Sequence, residues 1–97
     1  MPYVLHNQSS GELHACMQVN HYDLGYYGVK AWETKEQAEA ECADLLREGH
    51  LTGDWQVLQV EEQTLKLSNV KLKNNPAYVV FWSDQSLRVS RRETNEL

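Results

Sequence analysis

The alternation of apolar and polar positions divides the chain into one helix and a series of short strands. Residues 34–49 carry the helical signal. Ala38, Cys42, Leu45 and Leu46 recur at i, i+4, i+7 and i+8, one stripe on a 3.6-residue period. Thr34 suits the N-cap and Gln37, three residues on, completes a capping box; Gly49 suits the left-handed residue that ends a helix. Glu36 and Glu39 near the start and Arg47 near the end agree with the helix dipole. Glu36, Glu39, Glu41, Asp44 and Glu48 make the other faces an acidic solvent side. The stripe is narrow and its first half is small, so the helix is expected to lie close on a flat sheet.

The rest of the chain reads with period two. Residues 2–6 alternate around Tyr3 and Leu5, and the cluster 7–11 is a turn in which Gly11 suits the left-handed position of a three-residue hairpin loop. Leu13, Ala15, Met17 and Val19 then alternate with His14, Cys16 and Gln18. A loop at 9–11 sets Leu5 opposite Ala15, Tyr3 opposite Met17, Val4 opposite Cys16 and His6 opposite His14. Residues 20–23 read as a turn and 24–32 as a third strand, with Gly25 and Gly28 marking a bulge or a close backbone approach.

After the helix, 50–53 is a connection and 54–61 a strand built on Trp55, Val57, Leu58 and Val60. In 62–75, Leu65, Leu67, Val70 and Leu72 fit two short alternations broken at Ser68 and Asn69, a tight hairpin or a bulged strand; as a helix, lysines would interrupt every apolar face. Asn74, Asn75 and Pro76 form a break. The run 77–83 is apolar, β-branched and aromatic, the expected central strand. Residues 87–91 return as its partner, and 93–97 form a polar tail expected to be disordered.

The order β-β-β-α-β-(β)-β-β with short connections predicts an α+β fold: a mainly antiparallel sheet of five to seven strands with one long helix packed on one face, as a single domain over 1–97. One helix covers three or four strands. An apolar remainder, with Val4, Cys16 and one side of 78–82, is then expected for a partner or a second copy of the chain.

Composition adds limits. The chain has 97 residues, 41% hydrophobic and 24% charged, which suits one globular core and excludes disordered or collagenous material. Its longest apolar run, 77–82, is too short to span a bilayer, so no membrane role is expected. No basic stretch leads into an apolar core at the start, and only Cys16 and Cys42 are present. Both thiols are expected to be reduced and the protein cytoplasmic. The net charge of −5 divides into −8 over residues 1–62 and +3 over 63–97. That asymmetry matters only if folding keeps the halves apart.

Three groups of residues could carry chemistry. The predicted hairpin register brings His6, His14 and Cys16 to one face, where two imidazoles and a thiolate would be zinc-type ligands, with His21 or Asp23 as a fourth. His14 beside Cys16 is also the one pairing that could activate a thiol, whereas Cys42 lies within the helix stripe. The second group is His21, Tyr22, Asp23, Tyr26 and Tyr27, whose mixture of tyrosine, histidine and acid next to glycine resembles the composition of recognition loops. The third mixes Lys66, Lys71, Lys73, Arg88, Arg91 and Arg92 with Tyr78, Phe81 and Trp82. Phe81 and Trp82 fall on opposite faces, and the acidic whole argues against nucleic acid.

No nucleophile elbow, phosphate loop, metalloprotease helix or paired-carboxylate pattern occurs, so catalysis and a cofactor are not expected. The expectation is a non-catalytic protein-interaction or regulatory module, its partner another protein or itself as a homodimer. The alternative is a small-molecule or metal-binding domain, or an enzyme, built on the His6/His14/Cys16 face.

Overall fold

The capped helix forms where its signals lie. In the computed structural model, which describes residues 1–91, α1 spans Lys35–Arg47. Thr34 Oγ1 accepts from Gln37 N at 3.1 Å, and Gly49, at φ +80°, lets the chain turn back so that His50 N donates to Leu45 O at 2.9 Å. The predicted tail at 93–97 lies outside the described residues.

The strands are β1 (Tyr3–Asn7), β2 (Ala15–Val19), β3 (Gly25–Val29), β4 (Trp55–Gln59), β5 (Tyr78–Ser83) and β6 (Ser86–Arg91). A second helix, α2, spans Glu62–Leu72. The expected single sheet of five to seven strands is replaced by three antiparallel pairs, β1–β4, β2–β3 and β5–β6. Residues 11–14 join them. Leu13 N donates to Val80 O at 3.0 Å, His14 N to Leu5 O at 3.0 Å, and Trp82 N to Gly11 O at 2.8 Å.

β1 is the central strand, in place of the expected 77–83. Val4 and Leu5 point to opposite sides and both are fully buried. On the Leu5 side, Val57 and Trp55 of β4 meet Cys42 and Leu45 of α1. On the Val4 side, Leu58 meets a larger cluster with Leu13, Val29, Leu72 and Val80, joined by Leu65 and Leu87. Fully burying one such side chain is worth about 1.5–3 kcal/mol, so both faces contribute to the fold. The apolar remainder expected around Val4 is therefore covered by the chain's own α2 and its β5–β6 hairpin.

The predicted β1–β2 ladder does not form. The chain reverses at 8–11 with Gly11 left-handed, but β1 takes β4 as its ladder partner, with Leu5 opposite Val57, and meets only residues 12–14 of the returning segment, where His6 lies opposite Leu13. That contact is one residue out of the predicted register, and such a slip exchanges faces.

α2 replaces the expected hairpin or bulged strand. Its inward side is made of Leu65, Ser68, Asn69 and Leu72, while Leu67 and Val70 are exposed. Ser68 is fully buried because its hydroxyl donates back to Thr64 O at 2.8 Å. The helix has no side-chain N-cap bond and ends on left-handed Lys73 instead of glycine. α2 packs on β3, and two carboxamides, one from α2 and one just past its C-cap, reach the outer edge of that strand. Asn69 Oδ1 accepts from Val29 N at 2.8 Å and Asn74 Oδ1 from Tyr27 N at 2.6 Å. Gly28 is needed for this approach, since a Cβ there would stand 2.8 Å from Asn69 Oδ1.

Two predictions follow from α2. Leu72→Ala should cost about 2–5 kcal/mol in urea unfolding, while Val70→Ala should change stability by no more than about 0.5 kcal/mol. A strand would put Val70 on Leu72's face, and equal losses would restore that reading. Asn69→Ala should cost about 1–3 kcal/mol by stranding the Val29 amide, and Gly28→Ala a similar amount by crowding. The double variant should lose clearly less than the two singles together, because the added methyl then meets no carboxamide.

Candidate functional site

The β2–β3 hairpin is the part of the fold least covered by the rest. Its register sets Ala15 opposite Val29, Met17 opposite Tyr27 and Val19 opposite Gly25. Asn20 builds the tip: its Oδ1 accepts from Tyr22 N at 2.9 Å and Leu24 N at 3.1 Å, and Asp23 takes φ 65°. His21 and Tyr22 stack at the tip with ring centroids 4.1 Å apart. Behind them, Tyr26 donates to Gln18 Oε1 at 3.1 Å and Gln18 Nε2 to Gly28 O at 2.9 Å.

Four apolar or aromatic side chains of this hairpin face solvent: Met17 at 61% exposure, Val19 at 64%, Tyr22 at 72% and Leu24 at 61%. Of the residues with recognition-loop character, His21, Tyr22 and Asp23 are at the exposed tip and Tyr26 is half-buried, but Tyr27 belongs to the core. Met17, Val19 and Leu24 were not singled out by the sequence. The alternation of Met17 and Val19 with Leu13 and Ala15 reads as a buried face, and only the neighbouring polar tip and Gly25 hint that the core ends before Met17.

The edges of this hairpin differ. Lys30 N donates to His14 O at 3.1 Å and Asn20 N to Leu24 O at 3.0 Å, so even-numbered residues of β2 turn their backbone groups toward β3. Ala15, Met17 and Val19 turn theirs outward. On β3 the outward amides of Tyr27 and Val29 are met by Asn74 and Asn69. On β2, no described residue bonds the outward groups from Met17 to Val19.

At the root of the hairpin a groove of about 340 Å³ runs between β2, β3 and α1, lined by His14, Cys16, Lys30, Trp32, Glu41, Leu45 and His50. A neighbouring cavity of about 360 Å³ shares His14 and His50 and reaches Asn7, Glu12 and Trp55. Burial, with Lys30 adding to it, lowers the His14 pKa below the ordinary 6.5. Burial raises the Cys16 thiol, Glu41 adds to this, and Lys30 opposes it. A neutral imidazole beside a protonated thiol is not an activated nucleophile. Cys42 is likewise raised by burial, and its Sγ lies 3.9 Å from Trp55 O.

His14 and Cys16 share the groove, but His6 does not join them. It lies opposite Leu13, on the other face from His14, and its Nε2 donates to Trp82 O at 2.7 Å while Nδ1 accepts from Gln8 Nε2 at 3.1 Å. Both ring nitrogens are thus engaged. Among the described residues no cluster of three His, Cys, Asp or Glu side chains is placed to hold a metal ion. Nor is any helix among them long and apolar enough to cross a membrane. No protein-family model, curated protein or solved structure matches the chain.

The lowered His14 value has a consequence for stability. As pH falls through 6.5 the unfolded chain binds a proton at this position before the folded one does. Its contribution is therefore complete above that pH and is lost below it. The His14 ring should titrate below 6.5 by NMR, and His14→Phe, which keeps the edge contact with Trp55, should reduce the loss of urea resistance between pH 7 and about 5.

Proposed function

We propose that the chain is a non-catalytic protein-interaction module that binds its partner through the β2–β3 hairpin, by adding a strand to the outer edge of β2. The observation that carries this is the coincidence, on one short strand, of outward backbone groups without a described partner and exposed Met17 and Val19. An edge of this kind offers hydrogen bonds to an extended segment, and alternate side chains supply specificity. Tyr22 and Leu24 at the tip extend the apolar area. A cytoplasmic location fits the unbridged Cys16 and Cys42. A second reading is supported by the His14/Cys16 groove, whose size and largely apolar lining with a few polar groups suit a small molecule.

Selection from a random peptide display library tests the choice. Selected peptides are expected to be extended and apolar and to slow hydrogen exchange at the Met17 and Val19 amides. Val19→Lys, at an exposed position, should weaken them tenfold or more, about 1.4 kcal/mol. A library that yields no binder, or binders that map elsewhere, would overturn the hairpin reading. Shifts confined to His14, Lys30 and Trp32 would favour the groove.

A further inference from the structure

We infer that the partner of the β2 edge is a second copy of the same chain, joined antiparallel, β2 to β2, about a two-fold axis at Gln18. This deepens the interaction reading above and rests on it. The accessible stretch sets the register. β5 occupies this edge as far as Leu13, whose amide donates to Val80 O at 3.0 Å, so the partner strand can reach only the segment beyond it. Met17 and Val19 are the exposed residues there with outward N–H and C=O groups. A two-fold axis at Gln18 sets Met17 of each copy opposite Val19 of the other, forming about four backbone hydrogen bonds. A sheet in the order β3–β2–β2–β3 results.

The side chains suit this self-pairing. Met17 meets Val19 on one face, apolar against apolar, and the two Gln18 side chains meet on the other. β2 carries no charge, and Asp23 is the one Asp, Glu, Lys or Arg between 15 and 29. Two copies of a chain with net charge −5 can therefore approach here without setting like charges opposite each other. A C2 contact needs a patch complementary to itself, and an apolar-polar-apolar strand read in either direction provides one. The neighbouring edges are treated differently. β3 is blocked by Asn69 and Asn74, and β6 carries exposed Arg88 and Arg91, charges that discourage pairing. β2 has no lysine, arginine or proline of its own.

Sedimentation equilibrium on the wild-type chain up to a few hundred micromolar tests the dimer, and a disulfide tests its register. A concentration-dependent dimer is expected, not weakened by high salt because no ion pair holds it, and Val19→Lys should stay monomeric and melt as the wild type does at concentrations where the wild type is monomeric too. Gln18 on the axis faces its own copy as a non-hydrogen-bonded pair with Cα atoms about 4.5 Å apart, within disulfide reach. Gln18→Cys combined with Cys16→Ser should form a covalent dimer on mild oxidation. A monomer at every concentration whose β2 edge still binds selected peptides would overturn the self-pairing and leave the interaction module standing. A monomer that binds no peptide would remove both. A dimer that survives Val19→Lys without cross-linking at position 18 would place the contact on another surface and overturn the inference.

Discussion

The fold depends on the short extended stretch from Gly11 to His14. Three separate two-stranded sheets are each marginal in water, and this stretch bonds two of them together while leading directly into the third. Toward β1 it offers Glu12 O, which accepts from Asn7 N at 2.8 Å, and His14 N; toward β5 it offers Gly11 O and Leu13 N. His6 adds a side-chain link to Trp82 O, across 76 positions of sequence. Gly11 is required here twice over. It sits at φ +86°, and a Cβ on it would stand 3.2 Å from Trp82 O.

Tying the sheets at this point determines what is covered. β1 is held between α1 on the Leu5 side and the α2–β5–β6 unit on the Val4 side, so both helices are used on the central pair and on β3. The rest of the β2–β3 hairpin extends past this core. Its Val29 and Tyr27 are anchored in the larger cluster, and its tip is not. The exposed apolar surface of this hairpin is thus a strand edge and its tip, rather than a broad sheet face.

Local signals were legible and long-range ones were not. Thr34, Gln37 and Gly49 act on neighbours within a few residues, and α1 forms between them as read. The Ser83–Ser86 turn likewise brings β5 and β6 together in the expected order. α2 was hidden because its buried side includes Ser68 and Asn69 while two of its apolar residues point outward, so its pattern reports neither period cleanly. The pairing of β1 with β4 was hidden too, because the strands lie about fifty residues apart and β2 offers an equally apolar alternation closer at hand. The error in the candidate site follows from that pairing. A one-residue difference at Leu13 separates His6 from His14, while the pair His14 and Cys16, set by strand period alone, stays together.

The contrast between the two edges of the hairpin bears most directly on function. Lys73, the C-cap of α2, and Asn74, whose carboxamide meets Tyr27 N, both adopt left-handed conformations, at φ 54° and 53°, which cost on the order of 1–3 kcal/mol each in a residue other than glycine. The two amide bonds gained return about 0.5–1.5 kcal/mol each, so the hydrogen bonds alone do not clearly offset the strain. Blocking the β3 edge against foreign strands is a further effect of the same contacts. β2, only one strand away, has no such cap among the described residues and keeps Met17 and Val19 in water. Exposed apolar side chains beside backbone groups that no described residue pairs favour association, and a cap there would remove that tendency. An edge strand left open, among the described residues, next to one closed by two carboxamides is the contrast on which the strand-addition proposal for β2 rests.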